Sequence, residues 1–338
     1  MKLDAYARET HHAEHIVPVW RALPASMRGS FFMPPSVADE LAPLHIEHVE
    51  ARNIDKGDTP VLVSASGAMQ EARRRGRKNI AIMEHGAGQS FGGDPISFSG
   101  QVALNNSSYA GGANRFASLF LHPGPHPAAR DAARYPKARV EVVGCPKLDV
   151  LPHREPDGIP TIAFSFHWDT FLSPETRSTF IYYREQLAEY VRRSSKSGVR
   201  FIGHGHPRLY DRIAPWYEKH GIMPVKYFTD VCRMADVYAC DGMSTLYEFA
   251  ATGRPVVVLN APFYREEVEH GLRFWSAACV GENVWESYDL GAACNRALAS
   301  PDETLKKREY ALDLVYAYRS GAAERAAAVL ESWADGLG

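Results

Sequence analysis

Short apolar runs alternate with helical patterns along most of the chain, and that alternation leaves few folds open. Residues 61–65, 79–83 and 140–144 read as strands, with a short polar helix over 70–76 between the first two. A second series opens at residues 161–166 and continues through 200–203, 237–240 and 256–259. A long helix is predicted over 180–196, with its apolar side at Ile181, Leu187, Ala188 and Val191, and a short one over 246–251 that Gly253 ends. The runs are apolar throughout rather than alternating in and out, so both faces of each strand are expected to be covered. That is the pattern of parallel sheets flanked by helices, an α/β fold. Residues 302–334 are rich in Ala, Leu, Glu and Arg and read as helical.

The stretch Leu151-Pro152-His153-Arg154-Glu155-Pro156-Asp157-Gly158-Ile159-Pro160 separates the two series and reads as a linker. It divides the chain into an N-terminal domain, 1–151, and a C-terminal domain, 152–338, each long enough for one Rossmann-like sheet. The last helix is free to cross back to the N-terminal domain. A formal net charge of −2 disfavours nucleic-acid binding through bulk positive charge. No apolar run approaches the ~18 residues of a membrane span, so stable membrane insertion is not expected. Residues 1–9 lack the apolar core of a signal peptide. Five cysteines without a CxxC pair read as reduced thiols, which argues for a cytoplasmic location and against structural zinc.

The segment 236–259 carries the most chemical information. It reads strand, tight loop at Asp241 and Gly242, short helix capped by Ser244 or Thr245, turn, strand. A helix N-terminus with outward amides is an anion site. Glu248, one turn further on, is placed to take two ribose hydroxyls. An ordinary capped helix would look the same.

This segment resembles the donor-binding signature of GT-B glycosyltransferases and their relatives. It is similar to the Asp-Ser-Gly-Gly…Glu-Glu…Gly-x-Pro-Val pattern of UDP-N-acetylglucosamine 2-epimerases and to the Asp-Tyr-Ser-Ser…Phe-Asp pattern of CDP-glycerol glycerophosphotransferases. Residues 143–149, around Gly144, Pro146 and Asp149, resemble the Gly-x-Pro-Arg-x-Asp that ends the N-terminal domain of those enzymes. Residues 201–208, with His206-Pro207-Arg208, resemble their Lys-x-His-Pro, and Glu84-His85-Gly86 resembles the His-Gly motif of the glycerophosphotransferases. Arg265-Glu266-Glu267 followed by Gly271 resembles the Arg-Pro-Glu…Gly of the epimerases. The landmarks keep their order across residues 83–271. Two departures, Gly242-Met243 in place of Tyr-Ser and Gly92-Gly93 where a Lys-rich segment is common, weigh against CDP-glycerol as donor.

The resemblance implies a GT-B-like architecture, two Rossmann-like parallel-sheet domains facing a central cleft. The N-terminal domain would take the acceptor and the C-terminal domain the nucleotide donor. The implied activity is glycosyl transfer from a nucleotide-diphosphate sugar, with a UDP-sugar favoured, to an acceptor hydroxyl. Glycerophosphate transfer, nucleotide-sugar epimerisation and non-catalytic nucleotide binding are the alternatives. His206, Arg208, Asp241, Gly242, Ser244 and Thr245 would hold the diphosphate and Glu248 the ribose. His85 would be the base, with Glu84 its substitute or its orienting partner. Gly86 and Gly88 let backbone approach a ligand, but no dinucleotide fingerprint follows, so NAD is not expected.

The cluster His11-His12-x-x-His15 puts His11 and His15 on one helical face, a spacing that suggests a metal site but lacks a fourth ligand of known position; it could instead line the acceptor side, and a helix with ordinary polar positions is the preferred reading, with His45 and His48 posing the same choice. Arg73-Arg74-Arg75 with Arg77 and Lys78 reads first as a solvated helix end. It reads second as a track for a polyanionic acceptor, with Arg74 in contact; modified-base DNA and a cell-surface glycan precursor are both compatible acceptors. Phe166-His167-Trp168 with Phe171 offers a stacking surface for a base or sugar, or a buried aromatic edge. No paired carboxylates suggest a metal, and no cofactor beyond the nucleotide-sugar co-substrate is expected.

Overall fold

The computed structural model describes residues 1–54, 57–87, 112–169, 174–242, 244–264 and 275–337. The described chain forms two compact units, the first from residues 1–87, 112–150 and 315–337 and the second from 151–314.

The first unit is built on a parallel sheet of β1 (Leu3–Tyr6), β2 (Arg28–Met33), β3 (Val49–Glu50), β4 (Val61–Val63), β5 (Ile80–Met83), β6 (Leu119–His122) and β7 (Arg139–Val142), in the order β3-β2-β1-β4-β5-β6-β7. Successive strand residues feed opposite faces, as the two-residue period requires. Leu3, Ala5, Leu62, Ala81, Met83, Leu119 and Leu121 pack under α1 (Thr10–Ala22). Tyr6, Val61, Val63, Ile80, Ile82 and Phe120 pack under α3 (Ser66–Arg74); α2 (Pro35–Leu41) and α4 (Pro125–Arg134) are the other α-helices among the described residues of 1–150. The sequence reading placed a helix at 70–76; it starts at Ser66, because Ala68, Met69 and Ala72 form its buried side. β1 escaped that reading because a charged residue, Asp4, stands in its middle.

The second unit holds a parallel sheet of β8 (Thr161–Phe166), β9 (Arg200–Gly205), β10 (Met223–Pro224), β11 (Val237–Cys240), β12 (Val256–Leu259) and β13 (Glu282–Val284), ordered β10-β9-β8-β11-β12-β13. In order of appearance within the unit this is 3-2-1-4-5-6, so the direction in which successive strands are added reverses between β8 and β11, all strands remaining parallel. Ligands of open α/β sheets bind at the carboxyl ends of strands flanking such a switch point. Helix α5 (Phe180–Arg193) buries Phe180, Tyr183, Leu187, Tyr190 and Val191, while Ile181 is 66% exposed. Leu187 and Val191 face the core as expected, while Ile181 does not, because Tyr183 and Tyr190 take the rest of the buried side. The Tyr183 hydroxyl reaches the carbonyl oxygens of Asn260 and Val284 at 2.7 and 2.9 Å, which satisfies its polar end within the core. Helices α6 (Pro207–Lys219), α7 (Phe228–Met234), α8 (Ser244–Ala250), α9 (Leu290–Ala299) and α10 (Leu305–Val315) follow. Gly203 permits one close approach: a Cβ there would lie 2.3 Å from the Tyr217 ring.

The helical tail at 302–334 is two helices, α10 and α11 (Ala322–Asp335), parted at Gly321 with φ +67°. Ala326, Ala327, Leu330 and Trp333 of α11 join the core beside α1. Burying Leu330 and Trp333 contributes about 1.5–3 kcal/mol each. The first motif landmark has a structural role here: Asp149 accepts the Ala323 amide at 2.7 Å, closing the first turn of α11. Among the described residues, no helix is long and apolar enough to cross a membrane.

Candidate active site

At the carboxyl edge of the first sheet, His85 follows β5 and the first turn of α1 follows β1, one strand away across β4. This brings His11 and His12 to His85: ring centroids lie 5.5 Å apart for His11–His85, 4.5 Å for His12–His85 and 4.3 Å for His11–His12. His15 points inward, buried, with Nδ1 3.7 Å from Cys145 Sγ and its ring 6.4 Å from His85. The pair expected from helical spacing, His11 with His15, is thus replaced at the edge by His11 with His12. Burial, above all, holds His85 below the usual imidazole range, against the pull of a Ser64 backbone hydrogen bond and the charges of Glu84 and Glu9. A neutral imidazole can accept a proton, which keeps His85 competent as a base.

Glu84 does not orient His85. Its Oε2 lies 2.7 Å from Nδ1 of His122 at the end of β6, and Asp131 Oδ2 on α4 lies 3.0 Å from Nε2 of the same ring. A ring whose two nitrogens both face carboxylates is stabilised in its protonated form, which favours an imidazolium in this buried cluster. The sequence reading missed it because Asp131 and Glu84 are distant in the chain; the signal was an apolar run, Leu119-Phe120-Leu121, ending on a histidine. Burial works against the charge, but hydrogen bonds to the Asp131 and Glu84 carboxylates outweigh it and raise the His122 pKa. Asp131 is lowered despite burial, chiefly by the Arg130 charge and His122. A raised histidine contributes stability that is complete below its unfolded pKa, about 6.5, and is lost as pH rises through the folded value. A lowered carboxylate contributes above about 3.8 and loses that contribution in acid. The melting temperature of the first unit is therefore expected to fall as pH climbs beyond about 6.5. His122→Gln should start lower and lack that slope; an equal slope in both proteins would place its source elsewhere.

Arg74 lies at the other edge. Because β4 and β5 are parallel and α3 connects them, the end of α3 sits at the amino ends of the strands, away from His85. Arg73, Arg74, Arg75 and Lys78 are exposed, but Arg77 is buried on Asp4. The basic run is therefore neither a continuous track nor next to the histidines. Gly88 lies outside the described residues, as do Gly92, Gly93, Phe171, Met243 and 265–271.

In the second unit, the ends of β8, β9 and β11 converge at the switch point. His206 follows β9, donates its amide to the Phe166 carbonyl at 2.9 Å and caps α6, its Nδ1 accepting the Arg208 amide at 3.2 Å. Its ring lies 5.1 Å from that of His167 and 6.0 Å from that of Trp168. The Arg208 guanidinium covers Trp168 at 4.9 Å, a cation–π contact. Arg208 itself is exposed and His206 half-buried. The stacking surface expected after β8 is thus a cationic and aromatic cluster.

Asp241 is engaged by the backbone. Its Oδ1 accepts the His167 amide at 2.7 Å, and its Oδ2 accepts the Thr179 amide and hydroxyl at 2.9 and 3.2 Å. It holds the loop after β8 and the start of α5. Gly242 has φ +93°, which turns the chain from β11 toward α8. Ser244 and Thr245 open α8 half-exposed, and the Thr245 hydroxyl lies 2.9 Å from that of Tyr238. Glu248 is fully buried on α8.

No protein-family profile and no curated protein matches the chain by sequence. Its fold has close counterparts among solved structures. A UDP-N-acetylglucosamine 2-epimerase from Neisseria meningitidis, bound to UDP-GlcNAc, aligns over 98% of this chain and 99% of its own at TM-score 0.57 and 12% identity. The wall teichoic acid polymerase TagF, soaked with CDPG, aligns over 99% and 88% at TM-score 0.59 and 8% identity. The glycotransferase of kitacinnamycin aligns over 98% of both chains at TM-score 0.57 and 16% identity. The chain is an α/β protein of GT-B-like fold, with a parallel sheet in each of its two units.

Proposed function

We propose that the chain is an enzyme that transfers a glycosyl group from a nucleotide-diphosphate sugar to an acceptor hydroxyl, the second unit binding the donor and the first the acceptor. The observation that carries the reading is the convergence of His167, Trp168, His206 and Arg208 at the switch point of a 3-2-1-4-5-6 sheet, with the His167 amide held by Asp241. Cations and an aromatic face suit a diphosphate and a base or sugar. A leaving nucleotide diphosphate carries developing negative charge, which His206 and Arg208 would offset. His85 would take the proton of the acceptor hydroxyl. The fold shared with an epimerase and TagF supports a nucleotide-linked donor and leaves its base to experiment.

The test is a thermal-shift screen of the full chain against UDP, CDP, ADP and GDP. One nucleotide should raise the transition selectively, by about 2.7 kcal/mol of added stability at a hundred times its Kd. Arg208→Ala and His206→Ala should each shrink that rise. If no nucleotide moves the transition, the donor reading is wrong. Selective stabilisation by CDP, with glycerophosphate transfer from CDP-glycerol, would replace glycosyl transfer by attack at phosphorus. Turnover of a UDP-sugar without any acceptor would indicate epimerisation.

A further inference from the structure

We propose that His11, His12 and His85 form a binding site for a divalent transition-metal cation of the zinc class. One ligand nitrogen from each of the three rings lies within 4.8 Å of the others. Around a tetrahedral ion with bonds of about 2.0–2.1 Å the nitrogens stand roughly 3.4 Å apart, so small side-chain rotations close the set. Three imidazoles select zinc, nickel, cobalt or copper over magnesium and calcium, which take oxygen ligands. Three protein ligands also leave one position for water or a hydroxyl.

The surroundings fit a cation. Glu9 Oε2 lies 3.7 Å from His11 Nδ1, and the charges of Glu9 and Glu84 are felt at His85. The Ser64 backbone hydrogen-bonds His85 and orients it, as supporting groups do for metal-bound histidines. Two features oppose a cation: the start of α1, with its partial positive charge, and Lys147. The first is small against three coordinate bonds, and Lys147 is ion-paired to Glu14 at 2.7 Å. His12 is buried and His11 half-exposed, so an ion has a path in.

The inference does not depend on glycosyl transfer. The experiment is titration of the metal-free full chain with Zn2+ by calorimetry, and with Co2+ by its visible d–d absorption. The wild-type chain should bind one equivalent and give a low-coordinate cobalt spectrum. His11→Gln with His85→Gln should weaken binding by more than the roughly 10–100-fold typical of a supporting residue. Circular dichroism confirms that the variant is folded, and His11→Gln alone, at a half-exposed position, guards against its failing to fold. The exposed His48→Gln should bind as wild type. Absence of stoichiometric binding, binding unchanged in the double variant, or an equal loss in His48→Gln would each overturn the proposal. Nucleotide binding is measured separately, so failure of the donor reading leaves this result standing, and the reverse.

Discussion

His85→Ala is expected to slow group transfer by about 10²–10⁴-fold, the usual weight of a positioned general base. The nucleotide-induced thermal shift should be unchanged, because the residues assigned to the donor belong to the second unit and His85 to the first. His85→Gln should lose as much, since an amide keeps a polar ring-sized group but cannot carry the proton. The expectation rests on position: His85 follows a buried strand at the carboxyl edge, and burial favours its neutral form. A metal bound by His11, His12 and His85 would lower the pKa of a hydroxyl at its open position, so the loss is expected by either route. Chelation separates them, leaving the wild-type rate intact if the imidazole acts alone. A variant rate within about 10-fold of wild type would remove His85 from the chemistry.

The sheets were legible because a parallel strand covered on both faces has to be apolar throughout, and residues 161–166, 237–240 and 256–259 are strands as read. Strand order was not legible: it depends on which carboxyl ends meet, and only the structure shows that β4 stands between β1 and β5. The site failed to read at the same level. Helical spacing paired His11 with His15, residues on one helix, whereas the structure gathers His11 and His12 against His85, more than seventy residues away. Glu84 and His85 are neighbours in sequence, yet they point to different partners, as successive residues at a strand end do. Asp241 was read as a ligand from a family pattern, but an aspartate beside a tight loop has backbone amides close at hand, and these take it. Motif order located the switch-point loops; the roles of individual side chains within them came from geometry.

Arg77→Ala is expected to destabilise the first unit by about 3–5 kcal/mol, the cost of breaking a buried ion pair from one side. That is a large part of the ~5–15 kcal/mol of an ordinary domain. Arg77 is 1% exposed; its Nη2 meets Asp4 Oδ2 at 2.7 Å and its Nη1 donates to the Thr59 carbonyl at 2.9 Å. Asp4 Oδ1 accepts the Ser30 amide at 2.7 Å. The pair thus joins β1, the start of β2, the approach to β4 and the turn after α3. Removing the guanidinium leaves a buried carboxylate with one amide for company. Arg74→Ala, three residues earlier on the exposed helix end, should change stability by no more than about 0.5 kcal/mol. The measurement is urea unfolding followed by a probe of the first unit, since a chain of two units need not unfold in one step. Asp4→Asn should recover part of the loss in the Arg77→Ala background, because a neutral amide can still accept from Ser30 and no longer buries a lone charge. Equal and small effects of Arg77→Ala and Arg74→Ala would mean that all the arginines of the run are solvated alike, and Asp4 would then need another explanation for tolerating the centre of a buried strand.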